Sequence, residues 1–115
     1  MDLSDLTHEE TLVLVGFMRV VIQADGQFSD GERQHVAIVR TALGLERFHA
    51  AMLEAGERFP DNDALKAATK AISRPEARRT IHDVLVKIAE SDRLTPDEDK
   101  PLRWLESWWG LSRGA

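Results

Sequence analysis

Cysteine is absent from the sequence. Disulfide cross-links, thiolate nucleophiles and cysteine-based zinc sites are therefore excluded, and the absence fits a cytoplasmic protein. Proline and glycine are sparse, at four and seven residues, which leaves little room for disordered linkers. Strand signals are nearly missing too, since no stretch shows sustained apolar/polar alternation between turn residues. The most apolar run, "LVLVGFMRVVI" (12–22), is too short to span a bilayer and contains Arg19. It follows the acidic "THEE" and not the basic start of a secretory signal. An excess of positive charge is lacking as well, because the net charge is −5. That argues against nucleic acid as a partner and leaves cations, basic partners and small molecules open.

What the sequence does contain is helix punctuation. Its 115 residues suit a single domain over 1–115, with 43% apolar and 30% charged residues as in an ordinary globular protein. The capping-box pattern S/T-x-x-E occurs at Thr7–Glu10, Ser29–Glu32, Ser73–Glu76 and Thr95–Glu98. In such a box the hydroxyl accepts from the backbone N–H three residues on, and the Glu reaches back to the cap N–H. Pro96 follows Thr95 at a first helical position, where its missing N–H costs nothing. The spacing predicts helices over about 8–24, 30–43, 46–57, 63–72, 75–90 and 96–109. The first is apolar almost all round and belongs at the centre. The second stops at Gly44, with Leu45 placed for the apolar contact of a Schellman-type end. The expected fold is all-α, a compact bundle of six to seven helices.

The chain also echoes itself. "FSDGERQHVAIVRTALGL" (28–45) aligns with "LTPDEDKPLRWLESWWGL" (94–111), matching Ser29 with Thr95, Glu32 with Glu98, Val36 with Leu102, Val39 with Leu105, Gly44 with Gly110 and Leu45 with Leu111. Each copy follows an apolar helix, so the bundle reads as a pseudo-repeat of two helix–acidic turn–helix units. A hydrophobic helix, then "ADGQFSDGE" (24–32), then a helix ending in "LGL", with a second such unit later, resembles the TerB-like domains. These belong to the tellurite-resistance TerB family and to the N-terminal region of DjlA-type membrane-associated co-chaperones. The first motif is carried by Ala24, Asp25, Gly26, Phe28, Ser29 and Glu32. The second, "ESDRLTPDE", departs from it: either Ser91 and Asp92 stand where Asp and Gly are expected, or one residue is missing after Asp92. The resemblance covers about 10–111. It implies a helical, non-enzymatic module in bacterial stress-response or membrane-linked settings, and acidic clusters that serve cations.

Two uses of the acidic turns stay open. An EF-hand started at Asp25 fails, with Asp30 where the Gly belongs and Val36 where the bidentate Glu belongs. As caps, Ser29 and Glu32 form a box, and Asp30 meets the positive end of the helix dipole. As ligands, Asp25, Asp30 and Glu32 of the first turn could converge with Asp92, Asp97 and Glu98 of the second. Oxygen donors of this kind suit calcium or magnesium. The alternative is a plain protein-interaction domain without metal.

Positive evidence for enzyme chemistry is missing. The four histidines, His8, His35, His49 and His82, are scattered and form no HExxH, and no nucleophile elbow or phosphate-binding glycine loop appears. Lys66, Lys70, Arg74 and Arg78 recur every four residues, either as a solvated face or as a patch for an acidic partner or anionic lipid, which would place the protein peripherally at the inner membrane. Trp104 and Trp108 share one face of the last helix, while Leu105 and Trp109 share the next. The stripe serves either the core or a contact with a protein partner or a second copy.

Overall fold

The computed structural model describes residues 2–23, 30–90 and 96–111, without the side chains of Asp97 and Glu98. Six α-helices follow one another: α1 (His8–Gln23), α2 (Asp30–Leu43), α3 (Leu45–Arg58), α4 (Asn62–Ala68), α5 (Pro75–Glu90) and α6 (Pro96–Trp109). Short 3₁₀ turns occupy Leu3–Asp5 and Thr69–Ala71, and no strand occurs among the described residues.

The first helix starts where its capping box predicts. Glu10 N–H donates to Thr7 Oγ1 at 3.3 Å, and Thr7 N–H donates to Glu10 Oε1 at 2.8 Å. From Glu10 to Met18 every residue of α1 is buried. Valines at 13, 15 and 21 are modest helix formers, so packing and not propensity holds this segment helical. It packs against α3, α4, α5 and α6. The main apolar cluster takes members from all six helices, including Val39, Phe48, Leu65, Ile81 and Leu105. A smaller one, Leu12, Val15, Ala51 and Ala55, seals α1 against α3. Each fully buried aliphatic side chain contributes about 1.5–3 kcal/mol relative to exposure. The result is nearly round, 30 × 30 × 28 Å.

Several boundaries differ from the sequence expectation, each for a local reason. Leu45 does not close α2 with an apolar contact; it is 60% exposed and opens α3. Gly44 makes that immediate restart possible, with φ 92° and ψ 144°. The third helix runs through Gly56 to Arg58, where the lack of a Cβ admits Arg19: a Cβ there would lie 2.7 Å from Arg19 Nη1. The fourth helix starts earlier than expected because Asp61 caps it, accepting from Ala64 N–H at 2.8 Å. It gives way to a 3₁₀ turn at Thr69, whose hydroxyl donates to the Lys66 carbonyl at 2.6 Å. At α5 the Ser73–Glu76 box is displaced: the helix opens at Pro75, and Arg78 N–H donates to the Arg74 carbonyl at 3.1 Å, so Arg74 holds the cap position. The boxes at Ser29 and Thr95 lie outside the described residues.

The echo between halves survives in part. Val39 and Leu105 are both core residues, and Gly44 and Gly110 are the two described glycines with positive φ. Only the second copy ends in a Schellman bond, Leu111 N–H to the Glu106 carbonyl at 2.9 Å, with Leu111 packed on the core.

Residues before α1 are held by two arginines. Arg47 donates through Nη1 to the Ser4 carbonyl at 3.1 Å and through Nη2 to the Leu6 carbonyl, while Arg74 Nη2 donates to the Asp5 carbonyl at 3.2 Å.

Candidate functional site

The acidic residues singled out as ligands fare differently. Asp25 and Asp92 lie outside the described residues, as do the side chains of Asp97 and Glu98, whose backbone forms part of the first turn of α6. Asp30 opens α2 and is exposed, whereas Glu32, in the same turn, is 2% exposed. Among the described residues, no three His, Asp or Glu side chains are grouped closely enough to hold a metal ion.

A concavity lies between α1, α4 and α6. It is a cleft of about 420 Å³ whose apolar walls are Phe17, Val20, Leu65 and Trp104. Lys66 and Lys100 supply positive charge, and Gln23 and Asn62 supply amides. Pro101 closes one side, on the first half of α6, where it has no N–H to donate to the preceding turn. The aromatic wall is ordered by stacking. Phe17 and Trp104 have ring centroids 6.4 Å apart at 18°, and Trp104 and Trp108 are 5.9 Å apart at 11°. Lys66 Nζ stands 4.9 Å from the Trp104 ring centroid, a cation–π contact. Trp108 is 49% exposed. Trp109 turns inward and is 6% exposed; its buried Nε1–H has no acceptor among the described residues, and Arg78 stands 5.8 Å from its ring. The two faces expected for the last helix are thus occupied as their spacing predicts.

The basic stripe is divided among inward contacts. Lys66 lies over Trp104, and Arg78 Nε donates to the Ile72 carbonyl at 2.7 Å. Arg74 grips Glu10 with two bonds, Nη2 to Oε1 at 2.6 Å and Nε to Oε2 at 2.9 Å. The Arg74 guanidinium holds the Glu10 carboxyl below the usual carboxylate range, against the opposing effect of burial. Only Lys70 of the four points to solvent without such a contact. A third polar link, His82 Nε2 to Glu106 Oε2 at 2.7 Å, ties α5 to α6. His82 Nδ1 lies 3.6 Å from Asp83 Oδ1, beyond hydrogen-bond range, as neighbours on one helix should be.

Sequence reasoning missed the Glu10–Arg74 pair and the cleft. The one available signal for the pair was a charged residue at the edge of an all-apolar helix. The cleft had none, because its walls come from three separate segments.

Comparison of the chain with protein-family models, with curated proteins and with solved structures yields no match. No helix among the described residues is long and apolar enough to cross a membrane.

Proposed function

We propose that the chain is a non-enzymatic helical binding module of the TerB-like type, acting in a stress-response or membrane-associated assembly through the outer face of α6. The observation that carries this reading is the half-exposed Trp108 stacked on Trp104. A large aromatic side chain already held in place at a surface loses little freedom when a partner covers it, and such residues dominate docking energies. Light scattering over a concentration series tests the case in which the partner is a second copy. The expected outcome is a mass that rises with concentration for the wild type and stays monomeric for Trp108→Ala. A monomer at every concentration overturns self-association.

A second reading adds a divalent cation, calcium or magnesium, at the acidic turns. It is favoured by the position of their flanks: Gln23, just before the first turn, and Lys100, just after the second, line the same cleft. Calorimetric titration of metal-free protein should then give heat, with a raised melting temperature, and Asp25→Asn or Asp92→Asn should abolish both. No heat and no shift at millimolar ion removes the cation.

A further inference from the structure

The cleft between α1, α4 and α6 has features that a partner-docking face does not require. Its volume of about 420 Å³ falls within the range of small-molecule sites. Its floor is apolar and includes two stacked rings, Phe17 and Trp104. Among the described residues its two cations have no carboxylate partner. Arg58, Arg74 and Arg103 each bind a carboxylate, whereas no described carboxylate forms an ion pair with Lys66 or Lys100 or lines the cleft. Lys66 is also held in position over the Trp104 ring, so less of its freedom is lost when it meets an anion.

We infer that this cleft binds a small amphipathic organic anion, its apolar body against Phe17, Leu65 and Trp104 and its anionic head between Lys66 and Lys100. Carboxylate and phosphate monoester heads share the chemistry, since both accept charge-assisted bonds from ammonium groups. Trp108, on which the proposed partner contact depends, does not line the cleft but stacks behind its wall residue Trp104.

The test is a fluorescence titration of the full chain with 1-anilinonaphthalene-8-sulfonate and, in parallel, with its uncharged relative N-phenyl-1-naphthylamine. The expected result is saturable one-site binding of the sulfonate, at least tenfold tighter than that of the neutral amine. Lys66→Gln combined with Lys100→Gln should weaken the sulfonate about tenfold and leave the neutral amine unchanged. Competition with dodecanoate and with dodecyl phosphate distinguishes the two heads: displacement by either supports the site, and the one effective at lower concentration names the head. Equal affinity for charged and neutral dyes, unsaturable binding, displacement by neither competitor, or an unchanged sulfonate affinity in the folded double variant overturns the proposal. The comparison of the two dyes needs no variant, so it stands even if the lysine substitutions disturb folding.

Discussion

At Glu10 one carboxylate accepts from three donors: the Thr7 backbone N–H, Arg74 Nε and Arg74 Nη2. Its side chain is 5% exposed, so leaving it unpaired would strand a charge against the core. Arg74→Ala should therefore lower the urea midpoint, with Arg74→Lys recovering only part of the loss because an ammonium cannot reproduce the two-bond grip. The pH dependence has a definite sign. Folding lowers the Glu10 pKa, so the contribution is fully present above the ordinary value of 4.5 and is lost as pH falls through the lower folded value. Unfolding free energy measured from pH 6 down to acid should fall less steeply for Arg74→Ala than for the wild type. The exposed set of His8, Glu9, Glu54 and Arg58 should matter far less, since solvent screens it. At this scale the sequence was legible where chemistry is local. Thr7 and Glu10 announce a cap by their spacing, while the grip of Arg74 on the same Glu10 spans a separation that no spacing rule reaches.

The two positive-φ glycines separate elements that look alike in sequence. Gly110 has φ 66° and ends α6 in a Schellman turn, a conformation that Asn also tolerates. Gly44, at φ 92° and ψ 144°, lies near a region that only glycine visits freely, because α3 restarts at the next residue. Gly44→Asn should cost about 1–3 kcal/mol, whereas Gly110→Asn should cost a few tenths; thermal melting of the two variants side by side checks this. Equal losses would mean that the two helix ends are alike after all. Helices with a strong apolar stripe, such as α5 with Ile81, Leu85 and Ile88 on its buried face, were legible almost to the residue. The fourth was not. Its cap is an Asp outside the S/T-x-x-E pattern, and the change to a 3₁₀ turn depends on how Thr69 is buried, which is a tertiary matter.

For the molecule as a whole, α1 is the common partner of α3, α4, α5 and α6, so folding should be a single cooperative event. Leu14→Ala, in the middle of that helix at 0% exposure, should lower stability by about 2–5 kcal/mol without splitting the denaturant transition in two. Two resolved transitions would show that the halves stand apart. The all-α architecture could be read in advance because composition, capping and periodicity agreed. The cleft could not, because Phe17, Leu65 and Trp104 meet only once the helices have packed. The short lead-in before α1 carries a further consequence. Its carbonyls are acceptors for Arg47 and Arg74, from α3 and from the threshold of α5. Anyone shortening the protein back to Thr7 would leave two guanidinium groups short of acceptors and uncover the ground beneath Leu6. This unremarkable-looking stretch is a clasp, and engineered versions should leave it closed.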